Sequence, residues 1–156
     1  MAYRFSGGSA QYITASSAAV STEPMTLFCR DTPNSTPAGV NLKLAICASG
    51  SQTNAWLTYS TGAYPSGYYP AAWQGGGGAN SQSLSAVNDV IGTWKASTGV
   101  FASATSRQYF SDTVAATAST ASITTTGVDR TMISAYISGG AVTGTPRFDI
   151  CDSYTP

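Results

Sequence analysis

Val40-Asn41-Leu42-Lys43-Leu44-Ala45-Ile46-Cys47 is the stretch on which the fold turns. Val40, Leu42, Leu44 and Ile46 alternate with smaller or polar partners, the two-residue period of a strand with one face in a core. Toward the N-terminus, Met25 to Arg30 repeats that period, with Met25, Leu27 and Cys29 on one face and Thr26, Phe28 and Arg30 on the other. Earlier still, Tyr3-Arg4-Phe5 and Tyr12-Ile13-Thr14 read as short strands flanking a turn at Gly7-Gly8. Asp31 to Pro37 reads as loop. Toward the C-terminus, Trp56 to Tyr59 is a strand, and the glycine run Gly75 to Gly78 is expected to be a loop, because glycines are ordered in a strand only at high entropic cost. Gly92 to Phe101 and Ser106 to Phe110 form a strand and its hairpin return; Val114 to Thr117, Met132 to Ile137 and Arg147 to Ile150 complete a meander. No window keeps a helical period. The expectation is an all-β, antiparallel β-sandwich, with residues 1–156 as one domain.

Composition narrows the function classes. Charged residues are 9% of the chain, against about 25% in ordinary globular domains. Seven basic and seven acidic side chains cancel, and no lysine or arginine cluster forms a track for phosphates, so nucleic-acid binding is disfavoured. A weakly charged surface repels its own copies little, which suits a working state that is an assembly. The first residues lack a basic segment followed by an apolar run, and no stretch approaches a membrane span, so synthesis and folding in a cytoplasm is the expectation, with no membrane partner. Cys29, Cys47 and Cys151 are odd in number and far apart, fitting buried small side chains better than a disulfide framework or a zinc site.

With no histidine in the chain, neither a Ser-His-Asp nor a Cys-His constellation can be built. The segment that most needs a role is Tyr59 to Trp73, read as a long aromatic loop carrying Tyr59, Tyr64, Tyr68, Tyr69 and Trp73. Flat rings with a polar edge suit a protein interface and also stacking on sugars; the bland alternative is a loop folded back over the sandwich. A sugar site normally adds carboxylates or amides to bind hydroxyls, and only Gln74 and Asn80 lie near, which favours the protein interface.

Several segments, in order, resemble the laminin-G-like or concanavalin-A-like jelly roll frequent in phage and bacterial proteins. Phe5 to Ile13 looks like its first strand pair and Met25 to Arg30 like the next strand. Gly92-Thr93-Trp94, Gly99-Val100-Phe101, Ser106 to Asp112 and Val114 to Ala116 are similar to its strand, hairpin and following turn, and Asp129 to Ala135 to the run before its penultimate strands. One departure stands out: the family continues after a Phe-Asp pair with a further strand pairing near the N-terminus, whereas here the chain stops at Pro156. That leaves either an open sheet edge for a neighbour to cover or a short closing strand at Ile150 to Tyr154.

The resemblance implies places to look for chemistry. Relatives that cleave glycans use two carboxylates at a fixed separation, yet Glu23 is the only glutamate and has no acidic neighbour, and Asp149 and Asp152 form the nearest pair. Relatives that bind calcium use loop aspartates; Asp31, Asp89, Asp112 and Asp129 fall in expected loops but are scattered, which favours turn-capping or solvated side chains and no resident metal or cofactor. The chain is expected not to be an enzyme. Two roles remain: a tailed-phage decoration or cement protein on the virion surface, held as a homo-oligomer, a trimer by preference, on the major capsid protein; or a carbohydrate- or receptor-binding module of a fibre or spike that recognises cell-surface glycans.

Overall fold

A computed structural model of the chain describes residues 3–4, 12–33, 38–49, 54–63, 67–76, 79–138, 141–143 and 148–154. Two six-stranded antiparallel sheets face each other. The first runs β1 (Tyr3–Arg4), β14 (Phe148–Tyr154), β3 (Met25–Pro33), β8 (Lys95–Ser103), β9 (Ser106–Ser111), β10 (Val114–Ala115). The second runs β2 (Ile13–Ala15), β11 (Arg130–Ile133), β4 (Ala38–Cys47), β5 (Ala55–Ala63), β6 (Gly67–Gly76), β7 (Ala79–Leu84). A two-stranded ribbon, β12 (Tyr136–Ser138) with β13 (Ala141–Thr143), completes it.

Between the sheets lies one core cluster: Met25, Leu27, Cys29, Phe101 and Tyr109 from the first sheet meet Leu44, Ile46, Trp56 and Ala72 from the second. The alternation read in Met25 to Cys29 is therefore the core alternation. In β4 the pattern breaks. Its pairing with β5 shifts between Leu42 and Leu44, a bulge at Lys43, and a one-residue slip reverses which face a side chain takes. Leu44 and Ile46 face the core as the alternation requires, but Leu42 joins a second cluster, with Ala45, Cys47, Leu57, Tyr59 and Ala71, on the opposite face of the sheet. Val40 is 48% exposed.

Other expectations give way to the topology. The aromatic segment is not a loop but a hairpin, in which Leu57 pairs with Trp73 and Thr61 with Tyr69. Gly75 and Gly76 belong to β6, facing Asn80 and Ala79 of β7, a strand whose serines and amides hid it from hydrophobic pattern reading. Asp31 extends β3. β1 and β2 do not pair with each other; they sit in opposite sheets, against β14 and β11. Met132 to Ile137 divides at Ser134, whose φ of 68° interrupts the extended backbone. The strand expected from Gly92 starts at Lys95, after a turn in which Gly92 takes a φ of 76°. Most consequential is β14: it lies between β1 and β3, so of the two alternatives for the tail the short closing strand holds, beginning at Phe148 rather than Ile150.

Candidate ligand-binding face

Strand alternation decides what β4 to β7 present to the outside. Leu57 and Tyr59, and opposite them Ala71 and Trp73, share the face away from the core, and Gln82 of β7 stands beside Trp73. Val40, Leu42, Leu57, Tyr59 and Trp73 line a shallow pocket of about 140 Å³. Its walls are apolar, and its polar groups are few: Gln82 accepts a hydrogen bond from the Tyr59 hydroxyl. Asn80, one period along β7, is exposed on the same face as Gln82. Burial pushes the Tyr59 phenol up to about 12, so it remains a neutral donor.

Of the aromatic residues singled out in the sequence, Tyr59 and Trp73 meet in this pocket, and Tyr69 is half-buried on the same face, next to Thr61. Tyr68 occupies β6 opposite Gly62, and Tyr64 lies outside the described residues. Gln74 is unavailable to a ligand: it points into the sandwich, where it donates to Glu23 and Ile123 and accepts from the Arg107 guanidinium. Gln82, Val40, Leu42 and Leu57 were not singled out, since each depends on a register that only pairing reveals.

The aspartates land elsewhere. Asp31 and Asp89 converge inside the sandwich on Lys43, whose Nζ lies 2.9 Å from Asp31 Oδ1 and 3.3 Å from Asp89 Oδ2. Lys95 Nζ is 2.6 Å from Asp89 Oδ1, Lys43 donates to Ser97 Oγ at 2.8 Å, and the Tyr109 hydroxyl reaches the same Ser97 oxygen at 2.7 Å. Burial pushes the Asp89 carboxyl up, but the two ammonium groups outweigh it and hold it below its ordinary value. Asp112 accepts from the Ala96 amide and Asp129 from the amide and hydroxyl of Ser49, contacts that tie segments distant in sequence rather than capping a turn. Glu23 accepts from Trp56 Nε1 and from Gln74. Among the described residues no cluster of three histidine, cysteine or acidic side chains is arranged to hold a metal.

Comparison with solved structures fits this architecture. A heptameric SAP-like pentraxin from Limulus polyphemus superposes with a TM-score of 0.74 at 10% identity, over 99% of this chain and 74% of that one. Domains LG4-5 of the mouse laminin alpha1 chain give 0.70 at 10% identity, over 97% of this chain and 40% of that one. The fold is a laminin-G-like jelly-roll sandwich. The carbohydrate-binding module CBM40 of the Ruminococcus gnavus IT-sialidase also superposes, at 0.56 and 11% identity, over 99% of this chain and 91% of that one. No family model and no curated protein matches the sequence. At these identities the likeness concerns the jelly roll itself.

Proposed function

We propose that this chain is a non-catalytic recognition module, one unit over residues 1–156, that binds a glycan on the outer face of β4 to β7. The observation that carries the reading is the pocket in which Trp73 and Tyr59 stand beside Val40, Leu42 and Leu57 on a sheet face. A pyranose ring presents one apolar face of C–H groups that stacks on an indole, while its hydroxyls need amide or hydroxyl partners at the rim. Gln82 and Asn80 supply those partners from β7. The sialidase module, a carbohydrate-binding one on the same fold, supports the reading. So does the placement of the buried carboxylates away from this face: Asp31 and Asp89 lie between the sheets against Lys43 and Lys95, and Glu23 accepts from Trp56, so none of the three reaches a sugar held by Trp73.

A glycan array followed by titration calorimetry tests this. Trp73→Ala is expected to weaken the best ligand about two- to tenfold, the range of one stacking contact. Unchanged affinity in that variant, or no ligand on the array, would overturn the reading.

A second reading has its own observation. Val87, Val90 and Val114, exposed by 41%, 45% and 50%, line a cleft of about 360 Å³. An apolar patch on a weakly charged surface suits a protein interface. It supports a virion decoration protein, held as a homo-oligomer such as a trimer on a major capsid protein. The heptameric pentraxin is an assembly of the same fold. Co-sedimentation with capsids, lost in Val114→Asp, is the expected result; a monomer with no capsid affinity would end it.

A further inference from the structure

The charged side chains at the centre of the sandwich serve neither reading, and they are placed to react with one another. Lys43 and Asp31 are both 0% exposed, on strands of opposite sheets, with Nζ 2.9 Å from Oδ1. Asp31 Oδ1 has no directional hydrogen bond, so the contact is close without the alignment of donor and lone pair. A second carboxylate, Asp89, touches the same nitrogen, and Lys95 neutralises it from the other side. Four charges thus share a dry interior, where desolvation costs several kcal/mol per ion before attraction offsets it.

We propose that Lys43 and Asp31 join in an intramolecular isopeptide bond, formed inside the folded sandwich with Asp89 as the proton relay. Proton transfer within the ion pair gives a neutral amine and a neutral carboxylic acid. The amine lone pair attacks Asp31 Cγ and forms the C–N bond. Asp89 takes a proton from nitrogen and passes it to the departing hydroxyl, and the C–O bond breaks as water leaves. Ammonium and carboxylate become one amide and one water, with no oxidant or activated co-reactant. Fixed proximity supplies the effective concentration, and the buried site favours a neutral amide over a separated ion pair.

Burial raises the proton affinity of Asp31, opposed in part by Lys43, toward the acid form that attack requires, while Asp31 and Asp89 outweigh burial and raise that of Lys43, so the neutral pair is a minor form and the step is slow. Asp89 stays a carboxylate able to accept a proton, and afterwards it keeps its pair with Lys95. The product ties β3 to β4 across the core.

Mass spectrometry of the full chain, purified folded and then denatured, decides the matter. The expected mass is that of the sequence less one water. Trypsin cuts after lysine and arginine, so a bonded Lys43 replaces the peptides 31–43 and 44–95 with a single 31–95 peptide lacking one water. Lys43→Arg and Asp31→Ala should restore the linear mass, and folded Asp89→Asn should stay linear. A linear wild-type mass after prolonged incubation of the folded protein overturns the proposal. So does a water loss that persists in Lys43→Arg or maps outside 31–95; a water loss that persists in Asp89→Asn overturns the relay.

Discussion

Lys43 shows how a single residue can read one way in sequence and stand another way in the fold. In an alternating strand it belongs with the polar side chains that face solvent, but the bulge beside it turns it into the core, against Asp31, Asp89 and Ser97. The alternation of Leu44 and Ile46 was legible because it survives on one side of the bulge; Lys43 was not, since a bulge leaves no mark in the hydrophobic pattern. Removing one member of such a network strands the others without compensation. Lys43→Met is therefore expected to destabilise by about 3–5 kcal/mol, read from urea unfolding midpoints. A loss under about 1 kcal/mol would mean the carboxylates find water instead. The phenols add a pH dependence. Tyr59, pushed up to about 12 by burial, and Tyr109, raised further by burial with Asp31 and Asp89 adding to it, bind their protons more tightly folded than unfolded. Their contribution is complete below the unfolded value of about 10 and declines as pH rises toward the folded values, by up to about 1.4 kcal/mol per pH unit for each phenol. Denaturation midpoints should fall between pH 10 and 12; a flat profile would contradict the burial of both rings.

At the scale of elements, the hairpin of β5 and β6 carries the binding face, and its residues were visible while its form was not. Tyrosine, proline and glycine crowd the segment, and those residues also mark loops, so the aromatic content was legible and the pairing was lost. β7 was missed for the opposite reason: Asn80 and Gln82, on the Trp73 side, are exposed, and Ser81 and Ser83, which turn inward, are polar and hydrogen-bonded to Ser119 and to the Thr117 carbonyl, so neither face shows an apolar period. How closely the sheets approach can be tested at Gly99 of β8. A Cβ there would stand 2.8 Å from Thr58 Cγ2 of β5 and 3.2 Å from Ala72 Cβ of β6. Gly99→Ala is expected to destabilise by about 1–3 kcal/mol through overpacking, although alanine suits a strand better than glycine. An unchanged thermal midpoint would show that the sheets can part at no cost there.

For the molecule as a whole, strand order matters more than strand content, and order was the least legible level. Local alternation identifies a strand but says nothing of its partner, and here β3 is flanked by β14 and β8, far away in sequence on the same side. The jelly-roll resemblance supplied the class; the short tail left an open edge and a closing strand equally open, and β14 is the closing strand. This makes the last seven-residue strand a structural keystone. β14 pairs with β3 from Phe148 opposite Pro33 to Tyr154 opposite Phe28, and with β1 on its other side. Without it, the nine residues of β3 would present an unpaired edge with a strongly apolar inner face, a template for pairing between copies. A chain ending at Arg147 is expected to lose cooperative unfolding in calorimetry and to elute as large aggregates, and a synthetic 148–156 peptide supplied during refolding should restore monomeric material. If the truncated chain stays soluble with an unaltered unfolding midpoint, β14 contributes pairing without stability, and the rim of the first sheet must be held by contacts from its other strands.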